Sequence, residues 1–410
     1  MRGSHGELVE DATPVKILFA TPVQPLANKP RPHHLVKGLA ALGNSVHLLI
    51  QVPSKRAAAN MERDPSWSEL TDTCASVNQV VVPTARSVAQ SAASLPTRTP
   101  LRVAYCKSSR FTQRARELIR QHECDVVHVH RDRLAPAFRT LEQPKVLDAN
   151  DSMTLYLRQM LRFGSPSTRL LSAFELIKTP PHEARMAAGY AACLVTSEAD
   201  AQTLRSLNGN QEVEVIPNGV DDRFFAAEHR DAPDSVLFVG TMNYAPNVDA
   251  AVWFARRVWP QIRSARPQTT FRIIGHKPVL NVRRLARIPG VEVTGSVPSV
   301  IPALESATVL VAPLRVGGGF SNKIAEALAA GVPTVATPVA RAGIHGVVPG
   351  VHLLEGRGSE ELAAQTLTLL EDASLRARLT GAGRELIRNQ YRWERICARL
   401  EAVHRAAMAS

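Results

Sequence analysis

Short apolar, β-branched runs alternate with amphipathic stretches along almost the whole chain, and this alternation constrains the fold more than any other feature. KILFA (16–20) runs into a proline-rich loop and is followed by HHLVKGLAALG (33–43). SVHLLI (45–50), NQVVVP (78–83), CDVVHVH (124–130), KVLDAND (145–151) and AACLVTS (191–197) extend the series, with helical segments such as SRFTQRARELIRQHE (109–123) between most of them. A second series runs through SVLFVG (235–240), TTFRIIG (269–275), VEVTG (291–295), ATVLVAP (307–313) and VPTVATP (332–338). Such alternation implies crossover units and parallel sheets covered on both faces. A chain of 410 residues also exceeds one ordinary core. Two doubly wound α/β domains are therefore predicted, 15–215 and 216–390, divided near the Pro-Asn-Gly turn of EVEVIPNGVDDRFF (212–225). Sheets of this kind take ligands in a cleft outside the carboxyl ends of their strands. YRWERICARLEAVHRAAM (391–408) reads as a closing helix with Trp393 near its start.

Composition narrows the class. Hydrophobic residues at 45% and charged residues at 21% suit a globular enzyme rather than a disordered or fibrous chain. No apolar run reaches the roughly 18–20 residues that span a bilayer. The polar segment 1–14, opening MRGSH, resembles an added leader and is expected to be disordered and outside the fold. Cys74, Cys106, Cys124, Cys193 and Cys397 are odd in number, scattered and without a CxxC pair. That pattern suits free thiols in the cytoplasm and argues against zinc. The formal charge of +12 favours anionic partners, either through a solvated basic surface or through peripheral contact with the inner face of an anionic membrane. Basic residues form no block and aromatics are only 5%, so nucleic acid is not expected as a partner.

The stretch GGGFSNKIAEALAAGVPTVATP (317–338) carries the densest chemistry. It places Gly317, Gly318 and Gly319 at a strand-to-helix turn, where missing Cβ atoms let a ligand approach the backbone. Phe320, Ser321 and Asn322 lead into the helix NKIAEALAA, whose first N–H groups suit phosphate oxygens. Lys323 in the first turn opposes the helix dipole unless an anion is bound. Glu326, three residues on, can accept hydrogen bonds from two neighbouring hydroxyls, as on a ribose. Together they read as a nucleoside-diphosphate site. A plain surface helix with an exposed Lys–Glu pair reads the same letters. KILFA leads into TPVQPLANKPRP with no GxGxxG, which disfavours a dinucleotide fingerprint.

From Val15 onward, these motifs together resemble a GT-B glycosyltransferase of the large retaining family 4, nearest to its bacterial exopolysaccharide-type sugar transferases. VIPNGVDDRFF is similar to the family's inter-domain turn, and FVGTMNYAPNVDAAVWF (238–254) to its G-x-M-x-x-x-P-N-x-D-A segment. The resemblance implies two Rossmann-like domains with an inter-domain cleft, and a terminal segment, 391–410, crossing back to the first domain. It places Glu326 at the second glutamate of an E-x7-E motif, which binds the ribose. Gly318 stands where the first glutamate usually meets the donor sugar, so loop amides would take over that contact. Thr241 and Pro246 replace the usual Arg and Lys of the loop after Gly240. Lys323 and Arg315, then Lys277, are the substitutes implied for the diphosphate, although Arg315 reads equally as a solvated loop residue. His130, the second histidine of CDVVHVHRD, is implied beside the donor sugar, with His128 a strand residue. By alternation the two share one face, so a packed core pair fits equally. Two histidines with no third ligand placed make no metal claim. Asp148 and Asp151 could line the acceptor side, although helix capping fits them better. Lys29 and Arg31 lie in the loop 21–32 where the family closes on diphosphate and acceptor. Glu183 matches a family position without a derivable role.

What the resemblance implies is metal-independent, retaining transfer of a hexosyl unit from a nucleoside-diphosphate sugar to a saccharide or lipid-linked acceptor, with no other cofactor. Two other readings stay open: a nucleotide-sugar 2-epimerase of the same architecture, and a catalytically silent nucleotide-binding subunit.

Overall fold

The computed structural model describes residues 13–27, 30–209, 212–230, 234–317 and 319–409. Most of the expected leader, together with Lys29 and Gly318, lies outside the described residues. Two sheets organise the chain. In the first, β1 (Lys16–Thr21) lies between β2 (Ser45–Val52) and β4 (Val126–His130), with β3 (Ser76–Val81) beyond β2. β5 (Lys145–Asn150), β6 (Ala192–Val195) and β7 (Val213–Val215) continue outward from β4. In the second, β8 (Ser235–Val239) lies between β9 (Thr270–Ile274) and β11 (Val309–Ala312), with β10 (Val291–Gly295) beyond β9. β12 (Thr334–Ala336) and β13 (Leu354–Glu355) complete it on the other side. The pairings β1–β2, β1–β4 and β4–β5, and likewise β8–β9 and β11–β8, are parallel. In each sheet the strand order reverses beside its first strand, which is where such sheets open a crevice. The expected α/β architecture is present in both halves. β7 and β13 are not separately legible in the sequence: β7 runs almost directly into the Pro-Asn-Gly turn, and the two residues of β13 carry no usable period.

Burial explains why these segments are strands. All residues of β4 and β5 are buried, so both faces of each strand meet protein. In the second sheet, Phe254 and Trp259 pack on Phe271 with ring centroids 4.7 and 5.7 Å apart. The helix Asn322–Ala329 lays Ile324, Ala325, Leu328 and Ala329 onto the same core. All five cysteines are free thiols.

The chain partitions into two compact units: Met1–Ala149 with Met186–Cys193 and Cys397–Ser410, and Asn150–Arg185 with Leu194–Ile396. The second unit takes in residues 150–185 and 194–215, although β6 and β7 pair within the first sheet. Within the first unit, the helix Pro30–Ala41 meets the segment from Cys397 at Gly38, where an added Cβ would overlap the Cys397 thiol. Gly38→Ala should therefore cost about 1–3 kcal/mol in urea unfolding. Removing the sulfur in Gly38→Ala/Cys397→Ala should recover part of it. Equal losses in both backgrounds would show that the close approach does not limit this packing.

Candidate functional site

The turn after β11 is held by the second unit's own side chains. Gly317, at φ 143°, donates its N–H to Gln159 Oε1 at 2.9 Å and accepts from Gln159 Nε2 at 3.1 Å. A Cβ on Gly319 would lie 2.8 Å from Asp151 Oδ1, so this glycine makes room for a carboxylate of the same chain. The Phe320 amide approaches Thr196 Oγ1 at 3.5 Å, and its ring packs 5.4 Å from that of Tyr391. Asn322 accepts from Asn218 through its side-chain oxygen at 3.1 Å. Ser321 stands at the N-cap of the helix Asn322–Ala329 but makes no cap hydrogen bond, and among the described residues its buried Oγ has no partner. A partly buried helix start that its own cap residue leaves open is poised for an external acceptor.

Lys323 and Glu326 follow on this helix, both partly buried rather than projecting into solvent. Lys323 Nζ donates to Asn247 Oδ1 at 2.8 Å and lies 5.3 Å from the Phe238 ring centroid. Burial draws its pKa down to about 8, against the opposing pull of Glu326. Burial likewise lifts Glu326 to about 7, against the charges of Arg223 and Lys323 and with help from Asp221. Among the described residues no ion pair joins Lys323 to Glu326, so the exposed i,i+3 pair is not what forms. Instead the chain holds a cation and a carboxylate in a desolvated place that raises the energy of both charges. No local pattern in the sequence marks Asn247 as the partner of Lys323, since 76 positions separate them. The Asn247 amide also donates to the Thr241 carbonyl at 3.1 Å and packs where a Cβ on Gly240 would clash.

Arg315 forms a bidentate ion pair with Asp249, at 2.9 Å through Nε and 2.5 Å through Nη2. Its guanidinium also lies 5.3 Å from the Trp253 ring and 5.6 Å from that of Phe163. It is neither a free solvated residue nor an uncommitted cation, which leaves Lys323 as the cation on the glycine-turn helix itself. Lys277 is exposed just beyond β9, at φ 53°.

A second constellation sits in the first unit. The β4–β5 register sets His130 beside Asp148, and the β1–β4 register sets Phe19 beside His128. Both histidines and Asp148 are fully buried. His130 Nδ1 lies 3.1 Å from Asp148 Oδ2, while His128 Nδ1 lies 3.0 Å from His404 Nε2 and stacks on Phe19 at 4.4 Å. Arg31 chelates Asp148 through Nε at 2.8 Å and Nη2 at 2.9 Å. Burial alone would raise the Asp148 carboxyl, but Arg31 and the histidine hydrogen bonds hold it well below its usual range. Burial drives His130 down to about 3 and lowers His128 and His404 as well. A neutral His130 with Nδ1–H turned to Asp148 presents Nε2 as a bare acceptor, and that atom is buried without a partner among the described residues.

Several expectations change here. Arg31 belongs to the first turn of the helix Pro30–Ala41 and is buried against Asp148, so it is not a loop cation facing an acceptor. Neither Asp148 nor Asp151 caps a helix: Ser152 caps Met153–Phe163, accepting from Leu155 N. Asp148 is the counter-ion of Arg31, and Asp151 accepts from Thr196 Oγ1 at 3.2 Å. Glu183 acquires a role, accepting from Ser152 Oγ, Met153 N and Thr154 N and so satisfying that same helix start. The sheet register also supplies the third donor that the sequence could not place, since His128, His130 and Asp148 offer ligand atoms within 4.8 Å of one another. Arg31 occupies both carboxylate oxygens and already supplies positive charge there, which opposes a dication.

Comparison with known proteins agrees with both halves. Residues 32–224 match the family described as Glycosyltransferase Family 4, and residues 233–372 match Glycosyl transferases group 1. No curated protein matches the chain in sequence. Sucrose-phosphate synthase from Thermosynechococcus elongatus superposes with a TM-score of 0.69 at 16% identity, covering 96% of this chain and 99% of that one. A glycosyltransferase from Rickettsia africae gives 0.65 at 11% identity, covering 97% and 99%. Anabaena HepE in complex with UDP gives 0.64 at 13% identity, covering 96% and 100%. The fold is thus that of GT-B glycosyltransferases.

The buried ion pair makes a direct prediction. Asp148→Asn strands the Arg31 guanidinium and should cost about 3–5 kcal/mol in chemical denaturation. Arg31→Met/Asp148→Leu, which removes both charges, should recover most of that loss. A double variant as unstable as Asp148→Asn would refute the pairing as the source.

Proposed function

From the premise that this chain is a glycosyltransferase of GT-B type, we propose that it transfers a hexosyl unit, with retention, from a nucleoside-diphosphate sugar to a saccharide or lipid-linked acceptor in glycan or exopolysaccharide synthesis. The observation that carries the donor assignment is the open start of the helix Asn322–Ala329, with Lys323 and Glu326 one turn apart and both desolvated. A diphosphate at this helix start would meet free N–H groups and the Lys323 ammonium, relieving that ammonium's conflict with the helix dipole. The Glu326 carboxylate would accept from the two ribose hydroxyls. Breakage of the sugar–phosphate bond then places growing negative charge on oxygens already facing fixed donors. Retention is proposed through front-face attack, without a metal ion. His130 Nε2 has the chemistry to accept a hydrogen bond from a sugar hydroxyl. Uridine is the first base to test, since HepE is known in complex with UDP-glucose.

Calorimetric titration of UDP, GDP, dTDP and ADP tests the reading. One nucleotide should bind, and Glu326→Ala should weaken it by at least tenfold, about 1.4 kcal/mol. Unchanged affinity in the variant would remove the ribose assignment. Affinity should peak between about pH 7 and 8, since Glu326 takes up a proton below that range and Lys323 loses one above it.

The same shift predicts a stability effect of opposite sense. The folded pKa of Glu326 lies above its unfolded value of 4.5, so its contribution is intact below that pH and is lost as pH rises through about 7. Glu326→Gln should therefore stabilise the nucleotide-free protein at pH 8 by on the order of 2 kcal/mol, with little gain near pH 4.5, while nucleotide binding falls. Thermal melts at the two pH values check this, and equal shifts at both would contradict it.

A further inference from the structure

The helix Pro166–Met186 is turned inside out. Its buried face carries Ser172, Glu175, Lys178, Thr179 and Glu183, whereas Leu170 and Ile177, two turns apart on the opposite face, are 76% and 74% exposed. Phe174 lies between them on that outer face, partly buried, and Leu171 beside it is more than half exposed. The end of the preceding helix adds Leu161 and Phe163. Among the described residues, 16 large apolar side chains stand exposed, and these five fall between residues 161 and 177. Scattered exposed apolar residues are ordinary, but such a concentration marks a binding surface.

The exposed charges in this stretch of the chain are of one sign. Between residues 153 and 186 the exposed ionisable side chains are Arg158, Arg162, Arg169 and Arg185, whereas Glu175 and Glu183 are turned inward. Arg158, Arg162 and Arg169 pair with no carboxylate among the described residues. We propose that this outward face of Pro166–Met186, with the end of the helix Met153–Phe163, docks the protein onto an anionic lipid surface. Apolar side chains framed by unpaired arginines match the boundary between acyl chains and acidic headgroups. A second copy of the chain fits less well, since an isologous contact would bring these arginines against their own copies. No described helix is long and apolar enough to cross a membrane, so the contact is one of lying on the surface. The docking inference stands on this surface alone. Only its corollary, that the acceptor is lipid-linked, rests on the proposed transfer.

The test is flotation with vesicles of phosphatidylcholine, with and without roughly a third of phosphatidylglycerol, at about 0.15 M salt. The full chain should float with the anionic vesicles and stay behind with the neutral ones. Leu170→Ser and Ile177→Ser should each weaken binding about tenfold. Arg162→Gln and Arg169→Gln should each weaken it about fivefold. Thermal melts of the same variants check that the fold is kept, and nucleotide calorimetry on them separates failure of docking from failure of the transfer reading. Absence of flotation even at about 0.05 M salt would overturn the proposal. So would sedimentation showing a concentration-dependent dimer that Leu170→Ser abolishes, which would assign the face to a second copy.

Discussion

Covering both faces of a parallel sheet with protein is the constraint on which the rest of this molecule depends. Once β4 and β5 are buried residue for residue, any polar group on them must find its partner inside. Asp148 does so by drawing Arg31 out of the preceding loop region and into the first turn of a helix, and by taking a hydrogen bond from His130. His128 turns to His404 for the same reason. The remaining freedom lies at the carboxyl ends of the strands, where the chain leaves the sheet. The glycine turn after β11 is one such exit.

The two constellations solve opposite problems. At Asp148 the buried negative charge is met by a guanidinium with matched geometry, so the carboxylate stays ionised and the histidines stay neutral. At Lys323 and Glu326 both groups are desolvated, and the contacts they make do not offset that cost. Asn247 supplies a neutral acceptor to the ammonium rather than a counter-charge. The helix dipole adds to the strain on Lys323. The first network satisfies its buried charge internally, whereas the second leaves two groups whose charged forms burial disfavours, which is the basis of the proposed nucleotide site.

The helix Pro166–Met186 shows how one polarity rule gives different results at different scales. Its inward face is polar because Glu183 must serve the open start of the helix Met153–Phe163, which no local residue satisfies completely. Turning that face inward carries Leu170 and Ile177 outward. A local amphipathic pattern alone would orient this helix the other way.

By itself the sequence determined the two α/β series, the glycine turn with Lys323 and Glu326 on one helical face, and the pairing of His128 with His130 on one side of a strand. These follow from periods of two and 3.6 residues and from neighbours within one turn. What it left open depends on residues far apart in the chain. Arg31 and Asp148 are separated by 117 positions, Gln159 and Gly317 by 158, and Lys323 and Asn247 by 76. Asp148 looked like a helix cap because caps are local and common, but the register of β4 against β5 made it a counter-ion instead. The orientation of Pro166–Met186 was likewise unreadable, since two buried carboxylates outweighed its apolar stripe. Only the tertiary structure decided these matters, because the energy of a buried charge is set by what surrounds it in space and not by its neighbours in sequence.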